Sequence, residues 1–370
     1  MSALKVAVVG ACPYPVPQGS QVYLRNTALA IEEAGHEAHL VVYGYGLGED
    51  PSGLPMHRSA KLPGTRKTAA GPSFFKPLLD AALLRTLLRV IRHEKIDIVD
   101  AHNYEALLVA LAARKRPILY HAHNAMADEL PYYFSNPDYA ATLGAWLDKT
   151  FPKRADHIVA PHEALKDYLV TMGCSEDRIS VIPPCIDVEA FEKASPKRKD
   201  AAVLYAGNLD DYQNVDLLFP VMERVEAEVP GTQLVIATSS VRIIEEARMV
   251  HSQDFAAIRR ELARDVIFAC PRTSWSGYPI KLLNAMAAAL PIVCCKSSAH
   301  PITHQYNGLI VPDNDVEAFA ASILRLMKDP DLRKNLGANA RKTVEERHTR
   351  SVVAQSLQEV LDRLYDSSTD

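Results

Sequence analysis

The sequence predicts an α/β protein built from two doubly wound domains. Short apolar runs rich in Val, Ile and Ala alternate along the chain with amphipathic segments of helical periodicity. Apolar runs with little polar alternation, each followed by a helix, are typical of parallel strands covered on both faces. The chain has 370 residues, which is long for one core, and its strand candidates fall into two clusters. We therefore expect two sheets.

The predicted elements alternate in order along each half. The first-half strands are 5–10, 38–43, 96–100, 117–121, 156–160 and 179–182. The second-half strands are 202–206, 233–238, 265–269, 291–295 and 308–311. The clearest helices are 21–35, 77–94, 104–115, 215–229, 280–290, 315–328 and 351–365. Because Pro183 and Pro184 break the chain and 193–200 is charged, the domain junction is predicted at 183–200.

Composition and charge exclude several classes of protein. The net charge of −4 gives no electrostatic reason to expect a nucleic-acid partner. Six cysteines form no Cys-x-x-Cys pair, which favours core thiols in a reducing compartment. The apolar run at 5–10 is too short for a signal peptide, and no run reaches the roughly 18 apolar residues that span a bilayer. We expect a cytoplasmic protein.

A Pro- and Gly-containing loop follows the first strand. Gly19 and Ser20 end this loop at the predicted start of a helix, where free N–H groups and the helix dipole favour an anion. In open α/β sheets, ligands bind outside the carboxyl ends of the strands, and this loop is in that position. A simple capping turn is the alternative.

Polar residues follow two further strands. His102, Asn103 and Tyr104 end one strand, and His121, His123 and Asn124 end the next. Two His-Asn pairs at strand ends favour a functional site over packing alone. A metal held by the three histidines is disfavoured, because no partnering carboxylate or cysteine is seen at ligand spacing.

The segment 270–286 carries the strongest local signal. Pro279 suits the first turn of a helix, and Gly277 allows close approach of the backbone to a ligand. Arg272 and Lys281 lie near the same helix start, where cations oppose the dipole unless an anion offsets them. This departure from local preference predicts an anion site, and a diphosphate is the obvious ligand. Side chains that simply reach solvent are the alternative.

These segments, in this order, resemble family 4 of the glycosyltransferases over nearly the whole chain. The loop at 13–20 is similar to that family's donor-phosphate loop, and His123 matches its active-site histidine. Residues 181–187 (VIPPCID) resemble the family's VIPNGID passage, and 307–312 (NGLIVP) resemble NGLLVP. Asn284 begins NAMA where the family usually has EAMA.

The resemblance implies the GT-B fold, with two Rossmann-like doubly wound domains facing each other across a cleft. It implies an acceptor-side domain at 1–185, a linker at 186–200 and a nucleotide-sugar domain at 201–350. A C-terminal helix at 351–368 is expected to cross back to the first domain.

Two departures from the family pattern remove charge from the implied donor site. Asn208 and Gln213 stand where the family has an Arg and a Lys. Ser276 and Asn284 stand in place of the two glutamates of its Glu-x7-Glu motif. A subgroup similar to this chain shares the Tyr-Gln and GYPIKLLN sequences, which argues against random decay.

We expect Arg272 and Lys281 to supply the positive charge lost at the departed positions. The donor-binding residues implied by the resemblance are Gly19, Ser20, Asn208, Gln213, Arg272, Ser276, Gly277, Tyr278, Pro279, Ile280, Lys281 and Asn284. The implied acceptor-side residues are His102, Asn103, Tyr104 and Asn124.

The resemblance implies a retaining transferase that uses a nucleotide-diphosphate sugar and no metal or other cofactor. His123 would contact and orient the donor sugar. A non-catalytic partner subunit is one alternative, favoured by the lost glutamates. A nucleotide-sugar epimerase is another, but it needs acidic or histidine acid/base groups, and the second half is expected to offer none.

The segment 57–95 predicts contact with an anionic membrane surface. Its basic residues are Arg58, Lys61, Arg66, Lys67, Lys76, Arg85, Arg89, Arg92 and Lys95, against the two acids Asp80 and Glu94. The apolar side of its helix is expected to contain Leu78, Leu79, Ala82, Leu83, Leu87, Val90 and Ile91. A basic amphipathic stretch of this kind binds membranes, and it lacks the interleaved aromatic residues of a nucleic-acid site. We expect a lipid or glycan acceptor at the inner face of the plasma membrane; an ordinary core-covering helix is the alternative.

Overall fold

The computed structural model describes residues 3–16, 18–47, 50, 52–62, 75–191, 202–252 and 255–369. They form two compact units. The first contains Met1–Cys185, Ser276–Tyr278 and Arg350–Asp370, and the second contains Ile186–Trp275 and Pro279–Thr349. Most of the predicted linker, 192–200, lies outside the described residues.

The first unit is built on a parallel sheet of seven strands. The strands are β1 (Lys5–Gly10), β2 (Glu37–Val42), β3 (Met56–Arg58), β4 (Ile98–His102), β5 (Ile118–His121), β6 (His157–Ala160) and β7 (Ile179–Val181). Their order across the sheet is β3-β2-β1-β4-β5-β6-β7. The strand order reverses between β1 and β4, which is the point where open α/β sheets bind ligands.

Helices connect the strands of the first unit. They are α1 (Gly19–Glu33), α2 (Lys76–Val90), α3 (Asn103–Ala113), α4 (Met126–Glu129), α5 (Pro137–Thr150) and α6 (Glu163–Thr171). A π-helical turn, Ile91–Lys95, extends α2, and short 3₁₀ turns occur at Leu130–Tyr132, Pro152–Arg154 and Glu176–Arg178. The buried face of α2 contains Leu79, Leu83 and Leu87. Leu78 was predicted on this apolar side, but it is 60% exposed.

The second unit is built on a parallel sheet of six strands. The strands are β8 (Ala202–Ala206), β9 (Gln233–Thr238), β10 (Arg248–His251), β11 (Ile267–Cys270), β12 (Ile292–Cys295) and β13 (Leu309–Val311). Their order is β10-β9-β8-β11-β12-β13. The helices are α7 (Leu218–Glu228), α8 (Phe255–Leu262), α9 (Ile280–Ala287), α10 (Val316–Lys328) and α11 (Pro330–Arg347). Both units are therefore doubly wound α/β domains, as predicted.

The C-terminal helix α12 (Arg350–Thr369) packs in the core of the first unit, against α1. Leu357 and Leu361 of α12 are fully buried in the cluster that includes Leu24 and Ile31 of α1. Each fully buried leucine stabilises the fold by about 1.5–3 kcal/mol. The last helix therefore belongs structurally to the first unit.

Two edge strands escaped prediction. Strand β3 has three residues and β10 has four, and neither has a fully buried side chain. Apolar runs identify buried strands, so short half-exposed edge strands give no such signal. No helix of the described ranges is long and apolar enough to cross a membrane.

Candidate active site

The first cluster of interest lies at the carboxyl ends of two adjacent strands, β4 and β5. His102 and His121 are register partners across the parallel pair. Their rings stack with centroids 4.4 Å apart and planes at 11°. Both side chains are 1% exposed. The pairing brings together residues that are nineteen positions apart in the sequence.

Asp100 lies under these two histidines and is completely buried. Its Oδ1 is 2.6 Å from His121 Nδ1, and its Oδ2 is 3.4 Å from His102 Nε2. Although burial acts to raise it, the pKa of Asp100 is held below its ordinary value by His121 and His102. The carboxylate is therefore ionised and fixes the orientation of the rings.

Asp100 corrects one premise of the sequence argument about metals. A carboxylate does accompany the histidines: atoms of Asp100, His102 and His121 lie within 4.8 Å of one another. The sequence argument missed Asp100, which lies two positions before His102 on β4 and meets His121 through the pairing of β4 with β5. In this arrangement Asp100 Oδ1 is hydrogen-bonded to His121, whereas Asp100 Oδ2 and His102 Nε2 are buried without a hydrogen-bond partner in the described ranges.

His123 extends the cluster beyond the end of β5. Its Nε2 lies 2.9 Å from His102 Nδ1, and its ring stacks on Tyr23 of α1 with centroids 4.6 Å apart. Burial, followed by His102 and His121, holds the pKa of His123 well below its ordinary value. The imidazole is therefore neutral near pH 7. A neutral ring can orient a substrate through hydrogen bonds, but it cannot supply a positive charge.

The predicted acceptor-side residues differ in accessibility. Asn103 is half-buried and takes a positive φ of 72° at the start of α3. Asn124 is half-buried, and its amide donates to Glu129. By contrast, His102 is buried, and Tyr104 is 5% exposed with its hydroxyl 3.3 Å from the carbonyl of Leu147. Direct acceptor contact is thus open to the two asparagines, while His102 and Tyr104 are engaged inside the unit.

Gly19 and Ser20 form the first residues of α1, as their sequence position suggested. The side chain of Gln18, which precedes α1, forms no capping hydrogen bond, and Gly19 is exposed. Ser20 Oγ donates to Gln21 Oε1 at 2.9 Å. The first N–H groups of α1 are therefore oriented toward the loop that follows β1, where an anion is favoured.

Ser276, Gly277 and Tyr278 group with the first unit. Ser276 is fully buried, and its N–H and Oγ both donate to Asp128 Oδ2, at 3.1 and 2.7 Å. His162 Nε2 lies 3.0 Å from the Ser276 carbonyl oxygen. The serine at the first departed glutamate position is thus held by several polar contacts.

The second cluster lies in the other unit, after strand β8. Asn208 and Gln213 contact each other, with Gln213 Nε2 donating to Asn208 Oδ1 at 2.6 Å. Lys281 Nζ donates to Tyr205 Oη at 2.8 Å and to Gln213 Oε1. A cation from α9 therefore contacts Gln213, the residue that stands where the resembled family has a lysine.

Arg272 adds a second cation to this cluster. It is 8% exposed, its guanidinium carbon lies 5.2 Å from the centre of the Tyr212 ring, and its Nη2 donates to Ser274 Oγ at 3.0 Å. Its Nε is buried without a hydrogen-bond partner in the described ranges. Neither Arg272 nor Lys281 forms an ion pair with a carboxylate among those residues. Arg272 is buried and Lys281 is half-buried, so neither side chain simply extends into solvent.

Electrostatics at Lys281 favour an anionic ligand. The pKa of Lys281 is lowered to about 7, mainly by burial and also by Arg272, while Cys270 and Asp210 act in the opposite direction. A half-buried amine that forms no ion pair among the described residues is costly when charged, and a bound anion offsets that cost. Asp210, which hydrogen-bonds to Asn208 at 2.5 Å, is a carboxylate in this cluster that the sequence argument against an epimerase overlooked.

The backbone at Gly207 lies close to the Lys281 amine. A Cβ at Gly207 would lie 3.0 Å from Lys281 Nζ and 3.1 Å from Tyr205 Oη, so a larger residue would displace the amine. Pro279 precedes α9, Ile280 begins it and is buried, and Asn284 is half-buried one turn further on. The helix thus starts where the sequence predicted and ends earlier, at Ala287.

The structure therefore divides the predicted donor residues between the units. Gly19, Ser20, Ser276, Gly277 and Tyr278 belong to the first unit, and Asn208, Gln213, Arg272, Pro279, Ile280, Lys281 and Asn284 belong to the second. Sequence reasoning missed five residues of the clusters: Tyr23, Asp100, Tyr205, Asp210 and Tyr212. Asp100 had a usable signal, since it lies two positions before His102 on the same strand face.

Comparison with known proteins agrees with this architecture. The family model "Glycosyltransferase Family 4" matches residues 17–190, and "Glycosyl transferases group 1" matches residues 187–343. A D-inositol 3-phosphate glycosyltransferase of Kribbella flavida is 24% identical over 74% of this chain and 75% of its own. A phosphatidyl-myo-inositol mannosyltransferase of Mycolicibacterium smegmatis is 22% identical over 95% of this chain and 92% of its own.

Solved structures share the fold. Sucrose-phosphate synthase of Thermosynechococcus elongatus aligns with a TM-score of 0.83 at 15% identity, over 98% of this chain and all of that one. HepE of Anabaena in complex with UDP-glucose aligns with a TM-score of 0.72 at 15% identity, over 97% of this chain and all of that one. Two Rossmann-like domains of this kind define the GT-B class of glycosyltransferases, and the predicted fold is confirmed. The chain belongs to the family 4-like glycosyltransferases of that class.

Proposed function

We propose that this transferase moves a sugar from a nucleotide-diphosphate donor to an acceptor hydroxyl with retention of anomeric configuration. The observation that carries the proposal is the contact of Lys281 Nζ with Gln213, beside the buried Arg272. Lys281 and Arg272 form no ion pair in the described ranges, and they lie at the loop where Asn208 and Gln213 replace the usual basic pair. Such a pair suits a diphosphate leaving group, whose charge increases as the glycosidic bond breaks.

The proposed sugar transfer needs no nucleophile from the protein. The bond from the anomeric carbon to the diphosphate oxygen breaks, and the acceptor oxygen bonds to that carbon on the same face. The acceptor proton passes to the leaving diphosphate, so atoms and charge balance. Positioning and stabilisation of the leaving charge then account for catalysis, and loss of the two glutamates does not remove a nucleophile. We expect no metal requirement.

Relatives support a lipid or glycan precursor as acceptor. Their names include phosphatidyl-myo-inositol and N-acetylglucosamine-diphosphoundecaprenol as substrates. Solved neighbours include complexes with UDP and UDP-glucose. We infer a nucleotide-sugar donor and an acceptor of amphipathic chemistry for this chain.

The exposed face of α2 supports presentation of that acceptor at a membrane. Phe75 and Leu78 are 48% and 60% exposed, and they share this face with the exposed arginines Arg85, Arg89 and Arg92. Cations beside exposed apolar groups bind anionic lipid at about 1 kcal/mol per basic residue near the surface. We therefore propose that α2 contacts the membrane at the inner face.

Not every basic residue of 57–95 contributes to this surface. Lys76 is paired with Glu105, and Arg58 Nη1 donates to the carbonyl of Tyr14 at 2.7 Å. Arg66 and Lys67 lie outside the described residues. The described contact surface is accordingly narrower than the sequence segment and centres on α2.

A donor panel tests the proposed function. Thermal unfolding would be followed with UDP-, GDP-, ADP- and dTDP-sugars, with and without EDTA. One donor should raise the melting temperature, because a ligand that binds only the folded state stabilises it, and EDTA should leave that rise unchanged. Absence of a response to every nucleotide sugar and nucleotide diphosphate would contradict the donor site.

A further inference from the structure

The buried histidine cluster has one arrangement of protons that satisfies its contacts. Asp100 Oδ1 accepts from His121 Nδ1, which leaves Oδ2 facing His102 Nε2 at 3.4 Å. Neither of these two facing atoms has another hydrogen-bond partner in the described part of the chain. A lone pair on His102 Nε2 would oppose the carboxylate oxygen, whereas an N–H there is attracted to it.

The proton on His102 Nε2 determines the next contact. Neutral His102 must then have an unprotonated Nδ1, which can only accept a hydrogen bond. His123 Nε2 lies 2.9 Å from that atom, so His123 must donate from Nε2. A neutral His123 with its proton on Nε2 has a lone pair on Nδ1. Burial lowers the pKa of both His102 and His123, which is consistent with neutral rings.

We propose that Asp100 and His102 are positioning residues that fix His123 in the Nε2–H tautomer, so that its Nδ1 accepts a hydrogen bond from a hydroxyl of the donor sugar. The inference rests on the proposed function, which supplies a nucleotide-diphosphate sugar as the donor. His123 Nδ1 has no hydrogen-bond partner among the described residues, and the side chain keeps 8% of its surface exposed. An acceptor-only atom selects a hydroxyl and rejects a carbonyl, a carboxylate or a deoxygenated carbon at that position.

Tyr23 holds the ring that the proton chain orients. Its ring stacks on His123 and meets His102 edge-on, with centroids 5.8 Å apart. The hydroxyl of Tyr23 is directed to the carbonyl of Ile182 at 3.4 Å, away from the imidazole nitrogens. Tyr23 therefore fixes the position of the His123 ring, whereas His102 fixes which nitrogen of that ring has the proton.

Nitrogen-15 NMR of the histidine-labelled full chain tests the inference without any substrate. In the wild type, the His123 proton is expected on Nε2, in a single tautomer. A proton on Nδ1, or an equal mixture, overturns the inference. Signals that change on addition of EDTA would instead assign the cluster to a bound metal and would also overturn it.

Asp100→Asn supplies the variant arm. An amide can present either its oxygen or its nitrogen to His102, so the fixed proton is lost and His123 should populate both tautomers. The kcat/KM for the donor sugar should fall about 10–100-fold, the effect of one misdirected hydrogen bond. Affinity for the nucleotide diphosphate alone should stay unchanged. A single unchanged tautomer in this variant overturns the inference.

Asp148→Asn is the matched control. Asp148 is another buried carboxylate, but it accepts from the N–H groups of Met126 and Ala127 and from Tyr168, with no histidine among these donors. Its substitution should leave the His123 tautomer as in the wild type. If Asp100→Asn does not fold, the wild-type spectrum still decides. If His123 has the expected tautomer but the protein transfers sugar from no donor, the proposed function fails and this inference about the proton stands. If the protein transfers sugar but His123 has the opposite tautomer, only this inference fails.

Discussion

The ammonium nitrogen of Lys281 lies 2.8 Å from the phenolic oxygen of Tyr205 and also contacts Gln213. A lysine from the first turn of α9 thereby reaches the end of β8. The amine lies 4.4 Å from the centre of the Tyr205 ring, so the aromatic face also favours its charged form. This contact places a cation where the sequence had lost one.

Lys281→Met should weaken donor binding without weakening the fold. Loss of one charged hydrogen bond to the diphosphate corresponds to about 1.5–3 kcal/mol, or about 10–150-fold in Kd. The melting temperature should stay constant or rise, because a desolvated charge is removed. Calorimetric titration of the donor measures the first effect and thermal unfolding the second.

Lys328→Met is the control for this substitution. Lys328 is 62% exposed at the end of α10 and is paired with Glu228. Its replacement removes the same charge from the same unit and should leave donor affinity unchanged. Equal donor affinity in wild type, Lys281→Met and Arg272→Met would exclude the proposed diphosphate site.

Donor affinity should fall as pH rises through about 7. Burial lowers the pKa of Lys281 to about 7, so the amine is charged below this value and neutral above it. Because the diphosphate favours the ammonium form, Kd should increase between pH 6 and pH 8. An intact nucleotide sugar is the correct ligand, since its diphosphate is a diester and does not titrate there. The pH dependence should vanish in Lys281→Met; its persistence would assign it to another group.

His123→Ala should remove turnover with little effect on the fold. A positioned group at the reacting sugar contributes about 100-fold or more, so kcat should fall by at least that factor. The melting temperature should change by only a few degrees. His157→Ala is the control, because His157 is a buried histidine of the same sheet whose Nε2 lies 2.9 Å from Ser180 Oγ, outside the cluster. A large loss of stability with a proportionate loss of activity would identify His123 as a packing residue.

Membrane binding should depend on the arginines of α2. Arg85, Arg89 and Arg92 are exposed, so their replacement by Gln should reduce co-sedimentation with anionic vesicles and leave the fold intact. Binding should weaken between low and moderate salt, because exposed charges are screened beyond about 8–10 Å at physiological ionic strength. The matched control replaces Arg114, Lys115 and Arg116, which are exposed after α3, and removes the same charge. Wild-type protein that ignores anionic vesicles at low salt would favour a soluble acceptor.

The sequence predicted the central strands and two of the edge strands, and it missed the edge strands β3 and β10 for one physical reason. Val6–Val9 and Val203–Tyr205 are completely buried, so selection for burial leaves continuous apolar runs. Arg248 and His251 of β10 are both exposed, so the strand has no continuous apolar run. It pairs with β9 through backbone hydrogen bonds, which the residue types do not reveal. Helices α5 and α11 were likewise not predicted, since much of their surface faces solvent.

The candidate site was predictable where one segment carries it and not where several segments meet. Lys281 was selected as a candidate anion-binding residue from 270–286 alone, because a lysine near the start of a helix is unfavourable without an anion. Its partner Tyr205 is 76 residues away along the chain, and Asp100 is 21 residues from His121. Those contacts follow from strand order, which local periodicity cannot provide.

Acceptor-dependent transfer tests the central claim most directly. The wild type, Lys281→Met and Lys328→Met would each be incubated with the stabilising nucleotide sugar and a lipid extract. Release of nucleotide diphosphate and incorporation of labelled sugar would be measured together. The proposed function predicts stoichiometric release and incorporation by the wild type and Lys328→Met, and a decrease of at least about tenfold at limiting donor with Lys281→Met, matching its loss of donor affinity. Equal transfer by Lys281→Met and wild type, or no consumption of any nucleotide sugar, would contradict it.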